Sequence, residues 1–301
     1  MPIKRYFSSN NLESVKKDFK FLLNFINKSY GEYELSIRNQ CFNLYYKGYS
    51  IGKIEPKKDK TYLVSIHSAF FENTNADNQQ YYKSKKLSGK YWKIRLTKKN
   101  LHPFFQKKHI SEFTSRVKDQ RLGEGEFEQS IITDNLDRED LIILDRQVTI
   151  GKGGRKIDLL ALRHLNNSKY KFVLLEIKLG NNKDLQDKVV SQLDDYVKDV
   201  ENRFNEYKNC YELQFAQKKE LGLINKPSNI QIVKPVEGEI VVSGYSRIAN
   251  ENIINLNKKY QIDIIDVVKN KIIRGGSSIS KNKVSNRKYP NLKIKWFRYE
   301  L

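Results

Sequence analysis

The spacing of hydrophobic residues changes several times along the first part of the chain, and each change predicts a different element. Residues 11–29 repeat apolar side chains at helical spacing behind an Asn that suits an N-cap position, so we predict a helix. Residues 33–71 and 91–96 alternate apolar and polar side chains, as half-buried strands do. Residues 72–90 are polar and poor in apolar side chains, which predicts a loop. Residues 109–122 return to helical spacing.

The middle of the chain predicts a different order of elements. In sequence, these are a helix from Glu126, strands at 141–150, 156–162 and 170–178, helices at 184–200 and 208–221, and strands at 239–243 and 262–268. The order α-β-β-β-α-β predicts an α/β domain in which a mixed sheet is flanked by helices. A turn at Asn166-Asn167-Ser168 makes the second and third of these strands neighbours.

These patterns divide the chain into three parts. Residues 1–122 are predicted to form a small α+β domain, and residues 123–268 are predicted to form the α/β domain. Residues 269–301 form a C-terminal segment that begins with a Gly/Ser-rich stretch at Gly275–Ser280. A final strand is predicted there by Leu292, Ile294, Trp296 and Tyr299.

Composition excludes several classes of protein. Hydrophobic residues make up 39% of the 301 positions, which is enough to bury a core. No run of about 18 apolar residues is present, so we expect no membrane span. The N-terminus lacks the apolar segment of a signal peptide, which favours a cytoplasmic location. Cys41 and Cys210 lie far apart, which argues against a disulfide framework and against a cysteine zinc site.

The net charge of +21 is unevenly distributed. Residues 1–120 hold 24 Lys and Arg against 10 Asp and Glu, residues 121–268 hold 22 against 24, and residues 269–301 hold 10 against 1. A near-neutral centre between two basic flanks suits a catalytic core held against a polyanion such as nucleic acid. A general enrichment in lysine is the alternative explanation.

Two acidic residues stand in strongly apolar strands. Asp158 lies in Ile-Asp-Leu-Leu, and Glu176 follows Val-Leu-Leu. A carboxylate buried in a strand is costly unless it is paired or binds a cation. The intervening turn allows both carboxylates to meet on one face of the sheet, and two such groups beside the Ile177 carbonyl suit Mg²⁺ or Mn²⁺. Lys178 shares the face of Glu176, because side chains alternate along a strand.

This arrangement resembles the signature of the PD-(D/E)xK nuclease superfamily. The matching residues are Asp158, Glu176-Ile177-Lys178, a first-helix acid within Phe127–Ile132, and the Gln192-x-x-x-Tyr196 motif of the RecB-type branch. The resemblance covers about residues 123–245, and it departs from the family name because no Pro precedes Asp158.

The resemblance implies a restriction-endonuclease-like fold and an Mg²⁺-dependent deoxyribonuclease. It implies that Asp158, Glu176 and the Ile177 carbonyl hold the metal and that Glu128 assists, although Glu124 and Glu126 compete with Glu128 for that role. Lys178 is then expected to position the nucleophile. Gln192 and Tyr196 are expected to line the substrate side of the site. DNA is the expected partner, a homo-oligomer is left open, and restriction, repair or antiviral defence is the expected setting.

Each of these residues also has a structural interpretation. Asp158, Glu176 and Lys178 can form an ion pair at strand ends, and Glu128 can serve the helix dipole. Gln192 and Tyr196 can be a polar and an aromatic residue on one helix face. A non-catalytic nucleic-acid-binding scaffold and an RNA nuclease are the alternative functions. Six aromatic residues of the first part of the chain are interleaved with lysine and suit either strand packing or a stacking platform for single-stranded bases: Tyr45, Tyr46, Tyr49, Tyr62, Tyr91 and Trp92.

Overall fold

The computed structural model describes residues 3–79, 81–117, 124–136, 138–150, 154–243, 247–260, 263–268 and 292–298. The α-helices of these residues are α1 Ser9–Asp18, α2 Lys20–Asn27, α3 Ser68–Phe71, α4 Asn75–Asn78, α5 Leu101–Phe104, α6 Lys107–Ser115, α7 Glu124–Asp134, α8 Lys188–Asn202, α9 Phe204–Glu220 and α10 Arg247–Tyr260. The strands are β1 Tyr33–Arg38, β2 Cys41–Tyr46, β3 Tyr49–Pro56, β4 Thr61–His67, β5 Ser84–Ser88, β6 Tyr91–Thr97, β7 Leu141–Thr149, β8 Lys156–Asn166, β9 Lys169–Leu179, β10 Gln231–Ile232, β11 Glu237–Ser243, β12 Asp263–Val268 and β13 Leu292–Arg298. The described chain is therefore mixed α/β with two sheets.

The backbone forms two compact units. The first comprises Met1–Glu139 and Asn205–Ile230, and the second comprises Asp140–Phe204 and Gln231–Leu301. This division differs from the predicted boundaries after residues 122 and 268, because α7 and nearly all of α9 belong to the first unit. Of the predicted C-terminal segment, residues 269–291, which include Gly275–Ser280, and 299–301 lie outside the described residues.

Side-chain amides explain why α7 and α9 belong to the first unit. On α7, Gln129 donates to the Gly31 carbonyl at 2.7 Å and accepts from the Gly48 N–H at 3.0 Å. On α9, Gln217 both accepts from and donates to the backbone of Phe7, with both bonds at 2.8 Å. These buried amides satisfy backbone groups that would otherwise lose hydrogen bonds on burial.

The first unit contains an antiparallel sheet in the order β1-β2-β3-β4-β6-β5. Its core includes Phe19, whose ring meets those of Phe42 and Tyr62 edge-on at about 5 Å. The predicted helix of residues 11–29 is interrupted at this fully buried residue, so that α1 and α2 are separate helices. Tyr45, Tyr46 and Tyr62 are buried, which fits packing, whereas Tyr91 is 48% exposed.

The prediction of a loop over residues 72–90 was wrong in part. That segment contains α4 and the strand β5. Strand β5 lies at the edge of the sheet, and almost all of its side chains are exposed. An edge strand with no buried face does not show the apolar alternation on which the prediction depended.

The second unit contains a mixed sheet in the order β12-β13-β11-β9-β8-β7, with β10 beside β9. Strands β7, β8 and β9 are antiparallel neighbours, whereas β11, β13 and β12 continue the sheet in parallel. The mixed sheet, the hairpin between β8 and β9, and the final strand β13 confirm the sequence predictions. Helix α8 packs closely on β11, since a Cβ built on Gly238 would lie 2.9 Å from Leu193.

No helix among the described residues combines the length and the apolar character that a membrane span requires.

Candidate active site

The hairpin of β8 and β9 brings the two predicted carboxylates to neighbouring strands. Leu159 pairs with Leu175, and the same register continued by one residue places Asp158 opposite Glu176. Glu176 and Lys178 share one face of β9, because side chains alternate along a strand. The long apolar run of β9 buries Glu176 and Lys178, whereas β8 is less buried at Asp158.

Asp158 connects β8 to the strands on either side of it. Its Oδ2 accepts a hydrogen bond from the backbone N–H of Ile177 at 2.7 Å. Its Oδ1 accepts a longer bond from the side-chain amide of Gln147 at 3.4 Å. The carboxylate is only partly buried, so it is the acidic group of the pair with access to solvent.

Glu176 and Lys178 form a buried ion pair. The Lys178 ammonium lies 2.7 Å from Glu176 Oε1. The Lys178 side chain is 9% exposed and the Glu176 side chain is 2% exposed. Removing two charges from water is costly, and the cost is offset only by close contact and further hydrogen bonds. The pair therefore holds the lysine in one place beside the carboxylate.

Helix α8 supplies the further hydrogen bonds. The side-chain amide of Gln192 donates to Glu176 Oε1 at 3.0 Å and to the Tyr196 hydroxyl at 2.8 Å. The Tyr196 hydroxyl lies 3.4 Å from the Lys156 carbonyl. Burial raises the pKa of Tyr196 above its ordinary value, so the hydroxyl stays protonated at neutral pH. Gln192 of the predicted Gln-x-x-x-Tyr pair thus contacts the predicted carboxylate directly, and Tyr196 is connected to it through Gln192.

Arg155 lies at the exposed edge of this group. Its guanidinium is 5.6 Å from the centre of the Tyr196 ring and 3.2 Å from Asp195 Oδ2. Arginine favours such contact with an aromatic face. About half of the Arg155 side chain is exposed, which leaves it accessible to a ligand at the site.

No protein-family model, no curated protein and no solved structure matches this chain.

The first-helix acids lie in the first unit. Glu128 is 4% exposed on α7, whereas Glu124 and Glu126 are only partly buried. Burial distinguishes Glu128 from the other two, and the assignment of the first-helix acid stays a prediction.

Gln147 is a member of the group that sequence reasoning missed. It faces Asp158 across β7 and β8, and its backbone has a φ of +51°. Positive φ is uncommon for a residue with a side chain and is often found at functional sites. The sequence of β7 carries no signal for it, because a bulge between Ile143 and Asp145 shifts the register.

The donor set fits a hard divalent cation. It contains the carboxylates of Asp158 and Glu176, which lie on the neighbouring strands β8 and β9, and the Ile177 carbonyl. This set of donors includes no sulfur and no imidazole. Across the described ranges, no group of three or more His, Cys, Asp and Glu side chains is arranged to hold a metal. A site with two carboxylates suits Mg²⁺, which keeps several waters and takes further oxygens from a phosphate.

Proposed function

We propose that this protein is a metal-dependent nuclease that hydrolyses phosphodiester bonds in DNA. The observation that carries the proposal is the contact of Glu176 with both Lys178 and Gln192, next to Asp158 on the neighbouring strand. A buried ion pair needs further hydrogen bonds such as the one from Gln192, but it does not need a second carboxylate on the neighbouring strand, and Asp158 is that carboxylate. The proposal includes the PD-(D/E)xK superfamily and its restriction-endonuclease-like fold, to which the β7-β8-β9-β11 sheet with α8 packed on it lends support.

Asp158, Glu176 and the Ile177 carbonyl are the groups that would hold Mg²⁺ or Mn²⁺. When bound, the cation neutralises charge on the phosphate and lowers the pKa of water. The chain's own groups prepare the site for this role. The Ile177 N–H fixes the Asp158 carboxylate, and Gln192 fixes the Glu176 carboxylate, so that neither has to be ordered when the ligand binds.

Lys178 supplies a positive charge at a fixed position. Its pairing with Glu176 restricts a side chain that is otherwise flexible. An ammonium held in a site of low water content stabilises the negative charge that develops on the phosphoryl oxygens in the transition state. It also orients the attacking water by donating a hydrogen bond.

The Tyr196 hydroxyl and Arg155 complete the substrate side. The hydroxyl is protonated at neutral pH and anchors Gln192, while Arg155 presents a guanidinium to phosphate from the exposed edge. The net charge of +21 draws a polyanion to the protein. Restriction, repair or antiviral defence in the cytoplasm is the setting that such an enzyme suits.

A second function is favoured by one observation. The Glu176–Lys178 pair is in close contact and buried, as a structural ion pair would be. A nucleic-acid-binding scaffold that keeps the fold without cleavage would show the same pair. Only a test of chemistry distinguishes the two.

The test is cleavage of labelled single-stranded, double-stranded and branched DNA, and of RNA, with Mg²⁺, Mn²⁺ or EDTA. Wild type is compared with Glu176→Gln, Lys178→Ala and, as a control on the same strand, Lys169→Ala, whose side chain is exposed. We expect metal-dependent cutting of DNA by wild type and Lys169→Ala, and its loss in the other two variants. Wild type that binds DNA without cutting any substrate would favour the scaffold, and preferential cutting of RNA would establish an RNA nuclease instead.

A further inference from the structure

The first unit contains a groove of about 970 Å³ beside α1 and the turn that joins β3 to β4. Five lysines line it: Lys17, Lys57, Lys58, Lys60 and Lys98. Two carboxylates, Glu13 and Asp18, also line it, so the lining carries an excess of three positive charges. This volume lies at the upper end of the range for ligand pockets, which suits an extended ligand better than a single ion.

One of the two carboxylates, Asp18, already has partners among the residues that line the groove. Asp18 accepts a hydrogen bond from the Tyr62 hydroxyl at 2.7 Å and pairs with Lys98 at 2.5 Å. Its side chain is only 10% exposed, whereas Glu13 is exposed on the solvent side of α1. Asp18 therefore contributes little repulsion to an anion in the groove, and Glu13 is the main opposing charge.

The turn between β3 and β4 holds its lysines on a well-defined backbone. The Lys57 N–H donates to the Thr61 carbonyl at 2.8 Å, and the Lys60 N–H donates to the Lys57 carbonyl at 3.0 Å. Asp59 accepts from the Thr61 hydroxyl at 2.6 Å and pairs with Arg95 at 2.9 Å. A turn fixed in this way presents several charges together, and its backbone does not have to be ordered when an anion binds.

Three of the lysines are available to an external anion. Within the ranges that the structure describes, Lys17, Lys58 and Lys60 are exposed and have no acidic side chain within 4.0 Å. They come from two different elements, the helix and the turn. The N-terminal residues Ser8, Asn10 and Asn11 of the α1 region also line the groove, and the first turn of α1 carries no acidic residue. Helix N-termini favour anions, so they add to the lysines.

We propose that this groove binds the sugar–phosphate backbone of nucleic acid, with phosphates contacted by Lys17, Lys58 and Lys60. The three lysines are spread over α1 and the turn between β3 and β4. A chain of several phosphates can contact all of them, whereas a single phosphate cannot. The choice of nucleic acid as the polyanion rests on the proposed function of the second unit.

Binding is measured by fluorescence anisotropy of labelled single-stranded and double-stranded DNA in EDTA, over a series of salt concentrations. Because EDTA prevents metal-dependent cleavage, the result does not depend on whether the protein is a nuclease. The test variant is K17Q/K58Q/K60Q, and the matched control is K28Q/K107Q/K108Q. The control removes the same charge from exposed lysines of the same unit that do not line the groove. Thermal unfolding checks that both variants are folded.

We expect the groove variant to lose about tenfold or more in affinity, and the slope of log affinity against log salt to decrease by about two to three. The control is expected to lose only a small part of this, and Glu13→Gln is expected to tighten binding. Equal losses in the two triple variants would show that the charge acts diffusely and would overturn the proposal, as would unchanged binding by the groove variant. Displacement of DNA by polyglutamate at equal charge concentration would assign the groove to an acidic peptide instead.

Discussion

The side-chain amide of Gln192 lies 3.0 Å from Glu176 Oε1 and 2.8 Å from the Tyr196 hydroxyl, so one residue of α8 connects a strand carboxylate to a phenol. Gln192 cannot act as an acid or a base. Its role is to fix the orientation of Glu176, which also accepts from Lys178. If Glu176 holds the metal as proposed, removal of a group that orients it is expected to change metal affinity or activity by about 10- to 100-fold.

We therefore predict that Gln192→Ala lowers the cleavage rate by about 10- to 100-fold and raises the Mg²⁺ concentration needed for half-maximal rate. The measurement is the initial rate of DNA cleavage against Mg²⁺ concentration. Ser191→Ala, at the exposed neighbouring position on α8, is the control. A reduced rate with an unchanged Mg²⁺ requirement would mean that Gln192 does not act by orienting a metal ligand.

Gln147 leads to a second prediction, which separates backbone strain from function. Its φ of +51° is easily adopted by glycine and is costly for a β-branched residue. We expect Gln147→Gly to leave the free energy of unfolding within about 1 kcal/mol of wild type while it lowers activity, because the bond to Asp158 is lost. Gln147→Val should instead destabilise the protein by about 1–2 kcal/mol.

Urea unfolding and cleavage rates of both variants provide the measurements. If Gln147→Gly keeps full activity, the contact with Asp158 has no functional role. If Gln147→Val is as stable as wild type, then the positive φ is not a constraint at this position.

The candidate site was predictable from sequence where apolar runs contain an isolated charge. Asp158 and Glu176 interrupt strands that are otherwise buried, and the turn after Asn166 fixes their pairing. Gln192 and Tyr196 are four residues apart, which places them on one helix face in any amphipathic helix. These features depend on residues that are close in the sequence or joined by one short turn, so they can be read without knowledge of the tertiary contacts.

The parts that were not predictable depend on tertiary contacts. A bulge in β7 decides that Gln147 faces Asp158, and a shift of one residue would turn its side chain to the other face. The helical pattern of α7 shows which of its faces is apolar but not which unit covers that face. The buried amide of Gln129 associates α7 with the backbone at Gly31, more than 90 residues earlier in the sequence.

Gly238 provides a prediction about how α8 is held on the sheet. A Cβ at this position would lie 2.6 Å from Leu292 Cδ2, 2.9 Å from Leu193 Cγ and 3.0 Å from Val197 Cγ2. These distances are too short for packed carbon atoms, so Gly238→Ala should destabilise the second unit by about 1–3 kcal/mol. Because Leu193 neighbours Gln192, we also expect lower cleavage activity.

Chemical denaturation of wild type and Gly238→Ala checks this expectation. Gly125→Ala is the control, since a Cβ there would meet nothing within 4 Å and its φ is unremarkable. Equal stability of Gly238→Ala and wild type would show that α8 is free to move away from β11.

Tyr62 gives the last prediction, which concerns alkaline pH. Burial raises the pKa of this phenol, and its hydrogen bond to Asp18 raises it further. The folded state therefore keeps its proton at a pH where the unfolded state, with a pKa of about 10, has lost it. The contribution of this group to stability is complete below about pH 10 and is lost as the pH rises above that value.

We expect the free energy of unfolding of wild type to fall more steeply above about pH 10 than that of Tyr62→Phe, which has no phenol to ionise at this position. Tyr33, Tyr46 and Tyr196 also have raised pKa values, so both proteins should lose stability there, and only the difference in slope belongs to Tyr62. Urea unfolding in a series of alkaline buffers measures both slopes. Identical slopes would mean that Tyr62 ionises in the folded protein as readily as in the unfolded chain, which its buried position beside Asp18 argues against.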